Sequence, residues 1–202
     1  MLIFNYETLV DPLLKYTRKF IPEFSGMRPG DRVLDVCCGT GAQVLEYGRR
    51  GIIAAGVDIS PAMLQVALRN RVRQKLGNVS FYLADATELP FADNCFDYAS
   101  VSLGLHDKER LTRHRVVSEM KRVVKHDGAL IFIDYPVPPV KTVWAHLSGT
   151  IEFLAGGEHY QGFKDYIGSG GLEDILQACH LGEDERSYLN GGLLVIIKAR
   201  TI

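Results

Sequence analysis

The sequence predicts an α/β protein, a doubly wound and mostly parallel sheet finished by an antiparallel hairpin. Three observations carry this. Short apolar runs alternate with helical stretches along the first two thirds of the chain, a glycine-containing turn follows the first of those runs, and Asn190-Gly191-Gly192 separates two strand candidates at the end. Parallel neighbours need a crossover between them, and right-handed crossovers place helices on both faces of the sheet. An Asn-Gly pair between two apolar runs is a hairpin signal.

Each element has its own local reason. Residues 5–24 form an amphipathic helix with Leu9, Leu13, Leu14 and Phe20 on its apolar side, broken at Pro22 and followed by the polar turn at 28–31. The run 32–36 is the first strand, and the turn Cys38-Gly39-Thr40-Gly41 leads into a helix ending near Arg49-Arg50-Gly51, where cations and glycine suit a C-terminus. The run 52–57 ends at Asp58. Ser60-Pro61 then reads as an N-cap with proline at the first helical position, and that helix runs to about Lys75. Strands follow at 79–83 and 96–103, a helix at 107–125 stopped by Gly128, and a fifth strand at 129–134. After Pro136-Val137-Pro138-Pro139 come a helix at 140–154, a Gly- and Tyr-containing loop, a helix at 171–180 and the hairpin.

At 202 residues the chain suits one well-buried core. The expected organisation is a single domain: a helical segment at 1–27, a ligand-binding core at 28–135, a variable region at 136–182 and a closing hairpin at 183–202. The 23 basic and 24 acidic residues leave a charge of -1, with no excess to attract nucleic acid. The first residues lack a basic leader and a small-residue cleavage site, and no apolar run approaches the ~20 residues of a transmembrane segment, so the chain reads as cytoplasmic. The four cysteines, Cys37, Cys38, Cys95 and Cys179, contain no C-x-x-C pair and are expected as free thiols, with no metal site.

The chemistry gathers where strands end. In Val33-Leu34-Asp35-Val36-Cys37-Cys38-Gly39-Thr40-Gly41, two glycines between strand and helix let a ligand lie against bare backbone. A nicotinamide-binding turn continues to a third small residue, but that position is Val44; Asp35 would repel a pyrophosphate and welcome a cationic amine or sulfonium. Asp58 is placed to accept from both hydroxyls of a ribose, or else to cap the helix that Ser60 already caps. Asp85 can take the exocyclic amine of an adenine while the Ala86 amide meets a ring nitrogen, or be an ordinary loop aspartate. Three acids ending three successive strands converge on one sheet edge, where open α/β folds bind ligands.

The strings VLDVCCGTGAQ, GVDISPAML, ADATELPFADNCFDYAS and MKRVVKHDGAL, in that order, resemble the class I S-adenosylmethionine-dependent methyltransferases over roughly residues 28–135. The segment SLGLHDKER, the spacing of Phe163, Tyr166 and Ser169, and the tail LNGGLLVIIKAR are similar to the ubiquinone/menaquinone-biosynthesis C-methyltransferase group (methyltransferase type 11). Cys37 departs from the pattern, since that family usually has a glycine there. The resemblance implies a Rossmann-like, seven-stranded sheet and S-adenosylmethionine as cofactor, released as S-adenosylhomocysteine. It implies that Asp35, with the turn at Cys37, Gly39, Thr40 and Gly41, holds the cofactor's amino-acid end. It further implies that Asp58 takes the ribose, that Ile59 and Met63 flank the adenine, that Asp85 and Ala86 read its edge, and that Ser102 and Leu103 lie beneath the methionyl portion.

His106 follows the fourth strand and should face the space between cofactor and acceptor as the catalytic base, or else pack beside the next helix. Tyr6, Phe163 and Tyr166 form an acceptor pocket or serve core packing. The thiols of Cys37 and Cys38 fit small buried residues better than reactive ones, and the basic run Arg69, Arg71, Arg73 and Lys75 fits a solvated helix end. The expected reaction is methyl transfer to a small-molecule or lipid-soluble acceptor, quinone-type carbon included, with no metal required; a homodimer stays open. A nicotinamide-dependent oxidoreductase and a catalytically silent cofactor-binding module are the alternatives.

Overall fold

A computed structural model describes residues 6–137 and 157–202, with side chains from 14–137 and 160–202. Seven strands form one sheet in the order β3-β2-β1-β4-β5-β7-β6. They are β1 (Arg32–Val36), β2 (Ile53–Asp58), β3 (Val79–Leu83), β4 (Phe96–Ser102), β5 (Val124–Asp134), β6 (Leu181–Leu189) and β7 (Leu194–Thr201). The first five pair in parallel, β7 runs antiparallel to β5, and β6 and β7 close as the expected hairpin over a 3-10 turn at Asn190–Gly192. The helices are α1 (Tyr6–Ser25), α2 (Ala42–Arg49), α3 (Pro61–Gln74), α4 (Arg110–Val123), α5 (Gly157–Ser169) and α6 (Leu172–Ala178). Among the described residues no helix is long and apolar enough to cross a membrane.

The core lies on both faces of the central strands, which is why β1, β5 and β7 read as continuous apolar runs and not as alternating ones. Val33, Leu34, Val101, Ile131, Phe132, Ile196 and Ile197 are all buried. The outer strand β6 carries Glu183, Asp184, Glu185 and Arg186, charges that discourage pairing with another chain.

Several boundaries differ from expectation. Helix α1 continues through Pro22 to Ser25, because Ile21 and Ser25 are buried and packing holds a turn that proline alone would disfavour. Helix α4 spans Arg110–Val123, not 107–125, and β5 starts at Val124, not 129. Asn94 and Cys95 donate their backbone N–H groups to the carbonyls of Arg122 and Val123 at 3.1 and 2.9 Å, which draws the chain into register with Phe96 before the helix can extend. The Gly- and Tyr-containing loop is in part the helix α5, which buries Phe163 and Tyr166. Its Gly162 lies against the backbone of Asp107, where a Cβ would fall 2.3 Å from the carbonyl oxygen. The helix at 171–180 is shorter, Leu172–Ala178. The helix expected at 140–154 lies outside the described residues, as do the side chains of Tyr6 and His159.

Gly41 joins the ligand-side turn to the sheet. It caps α2 in a left-handed conformation (φ 73°), and a Cβ there would stand 2.5 Å from the Phe81 ring and 2.9 Å from Ala67 Cβ. Gly41→Ala combines backbone strain with overpacking and is expected to destabilise the protein by roughly 2–4 kcal/mol, read as a lower urea midpoint at unchanged slope.

Candidate active site

The cleft opens at the carboxyl ends of β1 and β4 and is lined by Leu14 and Arg18 of α1, Asp35, Cys37 to Thr40 of the turn, Ala42 and Gln43 of α2, and Ser102. Both strands end in an unusual backbone. Cys37 (φ 56°) and Leu103 (φ 53°) are left-handed although neither is glycine, a conformation that costs about 1–2 kcal/mol for a residue with a Cβ. Cys37 is tolerated because its neighbour has no side chain: a Cβ on Gly104 would come within 2.8 Å of Cys37 Cβ.

Asp35 is 3% exposed and receives a hydrogen bond on Oδ1 from Ser100 Oγ at 2.6 Å. Burial pushes its carboxyl from the usual 3.8 up to about 7, opposed by the Ser100 bond and the Arg18 charge and assisted by Asp58. Burial likewise pushes the Cys37 thiol up to about 11 and the Cys38 thiol higher still, so neither is an activated nucleophile. All four cysteines are free.

Asp58 ties two loops together. Its Oδ2 accepts from the Gly39 backbone N–H at 2.7 Å and its Oδ1 from the Ser60 N–H at 2.9 Å, while Ser60 itself caps α3 through the Met63 N–H. Asp85 is exposed and accepts from both the N–H and the hydroxyl of Thr87 at 2.8 Å, which holds its carboxyl below the ordinary range. The three acids therefore share one end of the sheet without touching. Lys108, paired with Asp107 at 3.0 Å, lies within electrostatic reach of Cys37, Asp58 and Asp85. At the rim Ile59 is 70% and Met63 41% exposed, two large apolar side chains left in water, while Ala86 is half-buried.

His106 is 5% exposed beyond the end of β4. Its Nδ1 lies 2.7 Å from Asp134 Oδ1, and its backbone N–H donates to Asp134 Oδ2 at 3.3 Å. A carboxylate can only accept, so the proton of a neutral ring sits on Nδ1. Tyr135, Phe163 and Tyr166 surround the imidazole at centroid distances of 4.9, 6.3 and 6.4 Å. Tyr166 donates its hydroxyl to the Tyr135 carbonyl, and the guanidinium of buried Arg113 packs over its ring while binding Asp165 and Ser169, which docks α5 on α4.

Sequence reasoning missed Arg18, Gln43, Tyr47, Ser100, Lys108 and Asp134. Asp134 was within reach, since it ends β5 as Asp35 and Asp58 end their strands. Ser100 is a polar residue inside an apolar run, and Gln43 and Tyr47 stand four apart on one face of α2.

Buried Gln43 lines the cleft, and its Oε1 has no hydrogen-bond partner among the described residues. Two acceptors, that oxygen and the Asp35 carboxyl, thus stand beside bare backbone, which suits a ligand bearing a cationic donor better than one bearing phosphates.

The methyltransferase domain model matches residues 34–132. Demethylmenaquinone methyltransferase of Renibacterium salmoninarum is 36% identical over 195 residues, covering 90% of this chain and 79% of the relative. The ubiquinone/menaquinone biosynthesis C-methyltransferase of Teredinibacter turnerae is 38% identical over 127 residues, 60% of this chain and 49% of the relative, so the chain spans about half the length of that protein. Among solved structures, an S-adenosylmethionine-dependent methyltransferase from Aquifex aeolicus superposes with a TM-score of 0.71 at 17% identity, over 92% of this chain and 89% of its own. One from Methanosarcina mazei gives 0.70 at 20%, over 91% and 97%. The expected fold, cofactor and reaction class are borne out; the oxidoreductase and silent-module alternatives find no support.

The Asp35 carboxyl is raised in the folded state, so the stability associated with its neutral form is complete below about pH 4 and is lost as pH climbs through about 7. Asp35→Asn, an isostere of that neutral form, is expected to remove a loss on the order of 2–4 kcal/mol in ligand-free protein. Urea unfolding at pH 4 and pH 8 checks it: variant and wild type differ little at the lower pH, and the variant is the more stable at the higher.

Proposed function

The chain belongs to the S-adenosylmethionine-dependent methyltransferase family that includes the demethylmenaquinone methyltransferases, and on that premise we propose that it methylates a small, lipid-soluble acceptor of quinol type at carbon. The observation that carries the acceptor is the buried His106–Asp134 pair set among Tyr135, Phe163 and Tyr166. An apolar aromatic wall suits a flat, lipid-soluble ring, and a held imidazole suits removal of a hydroxyl proton from it.

The cofactor supplies a methyl carbon made electrophilic by its sulfonium. The chain's own residues bind, orient and exclude water. Asp35 with Cys37, Gly39, Thr40 and Gly41 holds the amino-acid end, and Ser102 and Leu103 form the floor beneath it. Asp58 retains lone pairs beyond the two N–H bonds it accepts and takes the ribose hydroxyls. Ile59 and Met63, exposed at the rim, cover the adenine, and Asp85 and Ala86 meet its edge.

His106 is the catalytic base. Asp134 holds its Nδ1–H, which makes Nε2 the basic nitrogen, and the carboxylate stabilises the imidazolium once the acceptor's proton has arrived. As the acceptor hydroxyl loses that proton, electron density moves to the ring carbon that takes the methyl group; that carbon then gives up its own proton and the oxygen regains one, which restores the aromatic quinol. Phe163 and Tyr166 wall the acceptor.

Incubation with methyl-labelled cofactor and a panel of demethylated quinols, phenols and amines should place the label on a quinol ring carbon; label on nitrogen or oxygen alone would replace the acceptor class. His106→Gln is expected to lower kcat by about 10²–10⁴-fold with S-adenosylhomocysteine affinity unchanged in calorimetry. Asp58→Ala should weaken that affinity by roughly 1–3 kcal/mol.

A further inference from the structure

Behind the Asp35 carboxyl run two buried hydroxyls. Tyr47 of α2 donates to Ser100 Oγ at 3.0 Å, and Ser100 of β4 donates to Asp35 Oδ1 at 2.6 Å. Both side chains are fully buried. Each hydroxyl has one proton, and the carboxylate can only accept, so the order of donation runs from Tyr47 through Ser100 to Asp35. Burying two hydroxyls in an apolar layer is costly unless each is satisfied, and the carboxylate is the terminus that satisfies them.

Gln43, one turn before Tyr47, is set by a different cause. Pro22 has no N–H, so the Arg18 carbonyl four residues earlier lacks its helical partner. Gln43 Nε2 donates to that carbonyl at 3.3 Å. This commits the donor end of the amide to α1 and leaves Oε1 without a hydrogen-bond partner among the described residues, on a side chain that is 5% exposed and belongs to the cleft lining.

We propose that Ser100 and Tyr47 are positioning residues, and Gln43 a second ligand-contacting acceptor, of a subsite for the α-ammonium group of the cofactor's amino-acid end. The proposal rests on the methyl-donor reading above and extends it to three residues. An ammonium carries three donors; the carboxylate and the amide oxygen meet two, and the Ser100 proton fixes the carboxylate's orientation. The charged and titratable groups facing Asp35 are Arg18 from α1, Asp58 from β2, Tyr47 from α2 and the adjoining Cys37 and Cys38. The Ser100 bond and Arg18 favour the ionised form, and burial and Asp58 oppose it.

The test is calorimetric titration of wild type, Ser100→Ala, Tyr47→Phe and Gln43→Leu with two ligands, S-adenosylhomocysteine and its analogue lacking only the α-amino group. Wild type should prefer the amino-bearing ligand. Ser100→Ala and Gln43→Leu should each lose about tenfold, and Tyr47→Phe about threefold, for that ligand alone. In Ser100→Ala the pH midpoint of affinity should also move up, because the lost donor had favoured the carboxylate, and Ser100→Thr should restore it. Equal losses for both ligands, or no loss for either, overturn the proposal. Wild type binding both ligands equally overturns the ammonium subsite and leaves the methyl-donor reading standing; wild type binding neither removes that reading as well.

Discussion

A carboxyl group held out of water at the end of a central strand must be satisfied, and in this protein the surroundings of Asp35 are arranged around that requirement. Ser100 supplies a hydrogen bond from β4, Arg18 a charge from α1, and Tyr47 supports Ser100 from α2. Three elements that are distant in sequence thereby converge on one strand end. The energetic cost of burial is kept at the cleft, where a cationic ligand can offset it, and not in the core, where nothing could.

The frame behind the cleft was legible because its signals are local. Glycines, the Ser60-Pro61 start of α3 and the Asn190-Gly191-Gly192 turn each dictate backbone geometry by themselves, and the apolar runs are too strong to be overridden. Boundaries failed where a tertiary contact outweighed a local preference. Pairing of Phe96 with Val124 shortens α4, and packing of Phe163 and Tyr166 makes a helix of a segment containing Gly162 and Gly168.

The site divides along the same line. Acids that end strands were visible as such, and one of them, Asp58, bonds the Gly39 N–H of the turn. Ser100, Tyr47 and Gln43 carry no motif; their importance lies in side chains that touch across β4, α2 and α1, and sequence spacing does not report such contacts. Asp134 and His106 lie 28 positions apart, and only the parallel alignment of β4 with β5 brings the carboxyl under the ring.

The fit of Cys37 against Gly104 bears on how such a turn can diversify. With a cysteine at the first position, a Cβ at the second is blocked; with a glycine at the first, that obstacle goes and the 3.1 Å approach to Val101 Cγ2 remains. Bulk at 104 is therefore tied to what stands at 37, and the two positions are coupled: the same substitution at one meets a different neighbour depending on the other.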